Sequence, residues 1–363
     1  MSKLNDSIGA LGAWFERQKR VLPWRDDPSL YRVWISEIML QQTQVATVVP
    51  YFNRFMTRFP RLEDLAQAPV EDVLAQWSGL GYYSRARNIH KAAQRAHRDG
   101  FPQNLAGWLE MPGVGPYTAG AVLSIALDHV VPILDGNIER VMSRLRRVGR
   151  YEAKKSRLWR LSKIFVKRGA DLGVRPRVLN QALMELGATV CTPKKPACML
   201  CPLADICRAR AAGDMEAYPP TKPKAPWVQV REDVHLILGA AGRGLLMRQG
   251  VGDWRQDLWD LPADSPSKQD FESLGFVEVR YVVTRHKVSR RATIWRAKTA
   301  KPVWRAAEAQ WVSLPQLTTA WEEGKVPPLP VGSALKKTLL AVRARYPEAW
   351  REAAPRNSRP AKA

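Results

Sequence analysis

Long apolar runs are missing from this 363-residue sequence. No stretch reaches the ~20 residues that a membrane-spanning helix requires. The opening MSKLNDSIGALGAWFERQKR has no extended apolar core of the kind that directs secretion. The expectation is a cytoplasmic protein with no membrane partner. Cysteine is nearly absent too, with four in all, every one between Cys191 and Cys207. That confinement argues against a disulfide framework spread through the fold. Negative charge is in short supply: 34 Asp and Glu stand against 57 Lys and Arg, a net charge of +23. Such a deficit suggests a polyanion as partner, with a merely soluble basic protein as the plainer reading. No internal repeat is present beyond short Gly-x-Gly turns, among them Gly79-Leu-Gly81 and Gly113-Val-Gly115. What the chain does have is a 45% hydrophobic content and enough length for two domains, each with its own core.

Helical spacing dominates from residue 8 to about 190. Val33, Ile38, Leu40, Val45, Val48 and Val49 predict one strongly apolar helix, and Val70, Val73, Leu74 and Trp77 another, closed by Gly79 and Gly81. Arg85 to Arg98 reads as a basic helix. Leu105 to Met111 leads into a hairpin, MPGVGPYTAG, that opens a small-residue helix over 118–127. Ile138, Val141, Met142 and Leu145 share one helical face, with Arg140, Arg144 and Arg147 off it. After the cysteines, residues 218–229 read as a Pro- and Lys-rich linker. Strand-like runs follow at 234–238, 245–247, 277–283 and 292–295, with a helix near 333–346, so that 230–346 is an expected α+β domain. The polar tail 347–363 is expected to be disordered.

Four thiols within 17 residues suggest a metal site. Only one C-x-x-C occurs, whereas structural zinc more often uses two. An iron–sulfur cluster fits as well or better. In the hairpin, Gly113 and Gly115 would expose backbone N–H groups at the positive end of a helix, which suits a phosphate. Two glycines also simply join helices; the net charge and the neighbouring Arg85, Arg87, Lys91 and Arg95 favour the phosphate. Glu37, within Val-Trp-Ile-Ser-Glu-Ile-Met-Leu, would resist ionisation if buried, as a general acid should. The plainer alternative is a solvated stripe shared with Ser36. Asp135, where Leu134-Asp-Gly-Asn starts a helix, would be kept ionised by terminal N–H groups, or be only an N-cap. Two carboxyls in opposed environments are what glycosidic cleavage through a cation-like transition state requires.

Gln41-Gln-Thr-Gln-Val45, Gly79-Leu-Gly-Tyr-Tyr-Ser-Arg85, Met111-Pro-Gly-Val-Gly115, Ile133-Leu-Asp-Gly-Asn137 and a C-x6-C-x2-C-x5-C spacing follow in that order. In this combination the chain resembles the MutY-type adenine DNA glycosylases of the endonuclease III-like helix-hairpin-helix superfamily, from about Trp14 to Arg210. A weaker likeness runs from about Val230 to Tyr346, where that family carries a Nudix-like domain. Asp253-Trp-Arg-Gln-Asp-Leu-Trp-Asp-Leu-Pro262 is similar to its first signature there, but the box of active Nudix hydrolases is missing.

The resemblance implies a multidomain fold: an all-α helix-hairpin-helix glycosylase domain with an iron–sulfur loop, over 1–217, then an α+β Nudix-like lesion-recognition domain. It implies a monomeric, nucleoid-associated enzyme of base excision repair that removes adenine mispaired with 8-oxoguanine or guanine in double-stranded DNA. Glu37 would protonate the flipped adenine. Asp135 would stabilise the positive sugar, and Asn137 would help hold the site. Arg25 would contact the base, while Gln42 and Tyr82 would enter the base stack with Leu80 beside them. Gly113 and Gly115 would meet phosphates, as would Lys194 and Lys195. Cys191, Cys198, Cys201 and Cys207 would hold one 4Fe-4S cluster. Bifunctional relatives carry lysine where this chain has Tyr117, and a phenol of pKa ~10 cannot form a Schiff base. Base removal without an efficient strand-cutting step is the expectation.

Two departures stand out. Glu139 occupies a position where many members carry lysine. The Phe-Ser-His loop that reads 8-oxoguanine aligns with Val283-Thr-Arg285, leaving the hydroxyl of Thr284 in place of serine; a shifted register recruits His286. Two rival readings are a thymine glycosylase for G·T mismatches and a non-catalytic damage sensor. The second domain and the glutamine run argue against the first. Glu37, Asp135 and Asn137 together argue against the second.

Overall fold

The computed structural model describes residues 2–149, 154–220, 225–239, 242–250, 255–298 and 308–350. They form two compact units, Met1–Gln67 with Asn88–Pro223, and Ala68–Arg87 with Lys224–Ala363. Among the described residues the first unit is built from helices and short 3-10 turns, without strands.

Its centre is the helix Leu30–Leu40, buried on every side: Val33, Trp34, Ile35, Ile38 and Met39 are each at most 2% exposed. A helix apolar all round has no solvent face to give up and so belongs in the interior. The helix Pro116–Leu127 packs against it. This second helix opens on proline, which suits a first turn with no use for an N–H. Its small residues allow close approach; a Cβ on Gly120 would sit 2.6 Å from the Pro132 carbonyl oxygen. The helices Gly136–Arg146 and Pro176–Thr189 complete the wall around these two.

The single apolar helix expected over Val33 to Val49 is two, Leu30–Leu40 and Val45–Arg58. Gln42 lies between them with φ of 56°. That left-handed conformation cannot be propagated by an α-helix of L-residues. The apolar spacing ran across the break because Val33, Ile38 and Val48 are all buried on either side of it. Arg144 lies off the Ile138–Leu145 face as its spacing predicts, yet it is buried, at 2% exposure. The cysteine loop covers it.

In the second unit six strands form a mixed sheet: β1 (Val228–Leu238), β2 (Arg243–Arg248), β3 (Trp259–Asp260), β4 (Phe271–Val283), β5 (His286–Ala297) and β6 (Ala309–Ser313). The order is β3-β2-β1-β5-β4 with β6 also on β2; β1 and β5 run parallel and the other pairs antiparallel. The helices Leu314–Glu322 and Ser333–Arg345 supply Leu317, Leu335 and Leu339 to the core that Leu236 and Ile294 form with the sheet. The fully buried Arg290 binds both oxygens of the buried Asp260 at 2.9 and 2.8 Å and the half-buried Glu232 at 2.8 Å, so the buried cation is paired. The four strand-like runs of the sequence fall within β1, β2, β4 and β5. The two-residue β3 and the five-residue β6 were not anticipated, because a period of two needs more residues to show. Residues 221–224 of the expected linker, Asp253 and Trp254 of the signature, and 351–363 of the expected tail lie outside the described residues. Within that tail Pro347–Trp350 forms a 3-10 turn.

Candidate active site

Four helices converge on a cavity of about 500 Å³ in the first unit. Glu37 enters from Leu30–Leu40 and is 4% exposed, so the solvated-stripe alternative is overturned, as is the exposure of Ser36, which is fully buried. The stripe does not exist because both sides of the helix are covered. The Tyr117 hydroxyl, from the first turn of Pro116–Leu127, donates to Glu37 Oε2 at 2.7 Å. Asp135 caps the helix Gly136–Arg146, its Oδ1 accepting from the Ile138 N–H at 2.7 Å. Its other oxygen accepts from Asn137 Nδ2 at 2.9 Å. The fourth helix, Pro176–Thr189, contributes Met184 and Glu185.

Burial pushes the Glu37 carboxyl up to about 7; the Tyr117 bond and the Arg25 charge oppose this, and the Asp135 charge adds to it. Burial and the same two carboxyls hold the Tyr117 phenol far above its usual range. Asp135 departs from expectation. Burial raises it, outweighing the N–H groups of Ile138 and Asn137, the Asn137 side chain and the Arg140 charge, which all pull down. The cap was read correctly and the depth of the cavity was not. The asymmetry that survives is in hydrogen bonding: Asp135 receives backbone N–H groups and Glu37 a single phenol.

Arg25 lines the cavity with its nitrogens already engaged: Nε to Gln181 at 3.1 Å, Nη1 to the Arg20 carbonyl at 2.9 Å and Nη2 to Glu185 at 2.9 Å. Glu185 is 1% exposed; burial pushes its pKa up, but the bonds from Arg20 and Arg25 outweigh that and hold it low. Sequence reading missed Glu185, although Leu183-Met-Glu-Leu-Gly187 carries the same signal as Glu37, a carboxylate within an apolar helix. Gly187 was missed as well; a Cβ there would come within 2.6 Å of the Asn137 Cβ, so only glycine lets the two helices meet. Gln42 also lines the cavity, in the left-handed break after the central helix.

The hairpin places Gly113 at φ 76°, with Asn88 where a Cβ would stand. Gly115 differs: its φ of −102° suits any residue and nothing lies within 4 Å of a Cβ built there. Its want of a side chain leaves the first turn of Pro116–Leu127 open. Leu80, Tyr82 and Thr284 belong to the second unit. Tyr82 is 42% exposed at φ 51°, whereas Leu80 is buried. Thr284 sits at φ 52° in the two-residue turn joining β4 to β5, exposed, its hydroxyl donating to the Val283 carbonyl at 2.7 Å.

All four cysteines line one small pocket with Arg144, Val190, Pro196 and Met215. Burial pushes the Cys201 thiol up to about 12 and raises Cys207 as well, against backbone N–H bonds from Leu203 to the first and from Arg210 and Ala209 to the second. Arg144 Nη1 lies 3.3 Å from Cys191 Sγ. Among the described residues no three Cys, His, Asp or Glu side chains converge on a point that one ion would occupy. No described helix is long and apolar enough to cross a membrane.

Residues 35–217 match the family described as HhH-GPD superfamily base excision DNA repair proteins. The chain is similar to the adenine DNA glycosylase of Mus musculus, 45% identical over 212 residues that span 54% of this chain and 40% of that protein. It is also similar to the adenine DNA glycosylase of Buchnera aphidicola subsp. Schizaphis graminum, 41% identical over 215 residues, 57% of this chain and 60% of that protein. The matches thus span about half the length of these relatives. Among solved structures it is similar to a thermostable thymine-DNA glycosylase, with 26% identity and a TM-score of 0.52 over 58% of this chain and 98% of the other.

Proposed function

The chain belongs to the HhH-GPD superfamily of base excision DNA repair proteins, and from that premise we propose that it hydrolyses the N-glycosidic bond of adenine mispaired with 8-oxoguanine or guanine. The observation that carries the reading is the pair Glu37 and Asp135 in one cavity, the first bonded to Tyr117 and the second to a helix terminus. A carboxyl held near neutrality keeps its proton for a basic acceptor. A purine offers one in N7, which thymine lacks, so the site favours adenine over the G·T alternative.

The flipped base enters the cavity at a cost of a few kcal/mol for leaving the stack. The Glu37 proton passes to N7 as the glycosidic bond breaks, and the bond pair leaves with the base. The deoxyribose is left as a cation beside Asp135. That cation favours the ionised carboxylate, which Ile138 and Asn137 then hold in place with their N–H groups. Water adds at the sugar carbon and gives its proton to the Glu37 carboxylate left by the first step, leaving an abasic strand that is not cut. Tyr117 offers no amine to attack the sugar. Arg25, braced by Glu185 and Gln181, faces the base. Gln42 and Tyr82 support the distorted stack, and the hairpin at Gly113 and Gly115 meets phosphates. Thr284 at the β4–β5 tip reads 8-oxoguanine in a Nudix-like second domain.

The cysteine pocket fits a 4Fe-4S cluster. Four thiols share it, and backbone N–H groups and a buried guanidinium point at sulfur, as suits thiolates bound to a metal centre. Cys191, Cys198, Cys201 and Cys207 would hold the cluster, which would brace the loop or exchange an electron.

One assay tests the function. Purified protein is incubated with duplexes bearing A·8-oxoG, A·G, G·T or a uracil mispair, then resolved before and after alkali. Adenine release from the first two, with strands cut only by alkali, is expected. Release of thymine alone, or of no base, overturns the reading.

A further inference from the structure

The turn Gly79–Tyr82 is held in an unfavourable shape. Gly79 and Gly81 have φ of 96° and 77°, and Tyr82, which bears a Cβ, is at 51°. That conformation is unfavourable for a residue that bears a Cβ. Part of what holds it is local. Trp77 Nε1 donates to the Gly81 carbonyl at 3.0 Å, and Arg85 Nη2 donates to the same oxygen at 3.1 Å. The Arg85 guanidinium lies 5.3 Å from the ring centres of both Trp77 and Tyr82.

The rest comes from far along the chain. The hydroxyls of Ser78 and Tyr83 both donate to the Val331 carbonyl, at 2.8 and 2.9 Å. The Tyr83 hydroxyl also accepts from the Gly79 N–H at 3.1 Å, so one side chain links the first residue of the turn to Val331. Val331 is 1% exposed and bridges to Trp259 of β3, whose N–H donates to the Pro330 carbonyl at 2.9 Å. Both ends of the segment are tied in the same way. Glu71 pairs with Arg248 of β2 at 2.8 Å, and Arg87 donates to the Gln256 carbonyl at 2.7 Å. Residues Ala68–Arg87 therefore belong to the compact unit of the six-stranded sheet, the unit whose longest hairpin ends at Thr284.

We propose that Tyr83 and Ser78 are positioning residues through which the second unit holds Tyr82, so that the side chain entering the base stack and the tip reading the opposite base are carried by one body. This rests on the readings of Tyr82 and Thr284 given above. Neither Tyr83 nor Ser78 lines the cavity around Glu37, so the chemical step lies beyond their reach. Their effect falls on how the base opposite adenine is sensed.

The test uses the full chain with Tyr83→Phe, Ser78→Ala, Ser78→Thr and Tyr82→Ala. Single-turnover adenine release is followed on A·8-oxoG and A·G duplexes, alongside thermal melting. Tyr83→Phe and Ser78→Ala are each expected to narrow the ratio of the two rates about three- to ten-fold, the size expected for one or two neutral hydrogen bonds. Ser78→Thr, which keeps the hydroxyl, restores the ratio. An equal loss on both duplexes would mean a merely structural role and overturns the proposal. If Tyr82→Ala narrows the ratio and the other variants do not, the tether fails and the reading of Tyr82 stands. If Tyr82→Ala changes neither rate, that reading fails and takes the proposal with it.

Discussion

Glu37 and Tyr117 share one proton-rich contact, and the sign of its effect can be worked out. The phenol donates to the carboxylate, so it favours the ionised form and restrains the rise that burial causes. Base release by a protonated Glu37 should be full below an apparent pKa near 7 and fall as pH rises through it. Tyr117→Phe removes the restraint and should move that limb to higher pH; single-turnover rates across pH on limiting enzyme would show it. A limb moved downward would remove Glu37 from the role of acid. The same group predicts stability. The folded state keeps a proton on Glu37 between about 4.5 and about 7 that the unfolded chain has lost, so folding weakens as pH rises through that window. Glu37→Gln should release the penalty, gaining on the native chain by about 2 kcal/mol more at pH 8 than at pH 5, as denaturant midpoints would report. The variant should bind duplex DNA and release no adenine.

Among the elements, the cysteine loop has the least to hold it together. Between Cys191 and Cys207 only the short 3-10 turns Cys198–Leu200 and Ala204–Ile206 form, and Met199 and Leu200 are 88% and 70% exposed. A loop that buries so little must be fixed by something else, and the carbonyls of Thr192 and Pro193 are already fixed by Arg144 at 2.8 and 2.9 Å. Cys198→Ser is expected to lose iron, acid-labile sulfide and the visible colour of the cluster together, with a lowered melting temperature. Elemental analysis of the native protein decides the matter, and zinc without iron would overturn the cluster. The break between Leu30–Leu40 and Val45–Arg58 belongs to this scale too. It turns a polar stretch, Gln41 to Thr43, toward the cavity at the end of the helix that carries Glu37.

For the whole molecule, the division into units changes how the second domain can be tested. Truncation after about residue 222 is the obvious experiment for a lesion-reading domain. It would also strip the partners of Ala68–Arg87, leaving Ser78 and Tyr83 without the Val331 carbonyl and Glu71 without Arg248. The truncated chain is therefore expected to exchange amide hydrogens faster across 71–87 than the full chain, as mass spectrometry of matched peptides would show. Unchanged protection there would mean that the segment is held by the first unit after all. The cleaner test of 8-oxoguanine reading is Thr284→Ala in the full chain. It should narrow the A·8-oxoG to A·G ratio by no more than about ten-fold, since a hydroxyl can accept from the N7–H that oxidation creates but can only donate to the bare N7 of guanine.

The sequence by itself determined where the chemistry-bearing residues stand in the chain and which elements most of them begin or end. Pro116 opens a helix and Asp135 caps one because proline and aspartate act on the few residues beside them. Strands β1, β4 and β5 were legible because each runs for about a dozen residues, and β2 through its apolar Leu245–Met247. Tertiary structure alone decided depth. Glu37 and Ser36 were equally consistent with a solvated stripe until a second helix covered them, and Asp135 was expected to be held low by its helix terminus, whereas burial in the cavity raises it. It also decided partnership across distance, since Glu185 meets Arg20 and Arg25 across more than 150 residues and Tyr83 meets Val331 across 248. Local propensity acts over a few residues. Desolvation and charge depend on whatever the rest of the chain brings within a few ångströms.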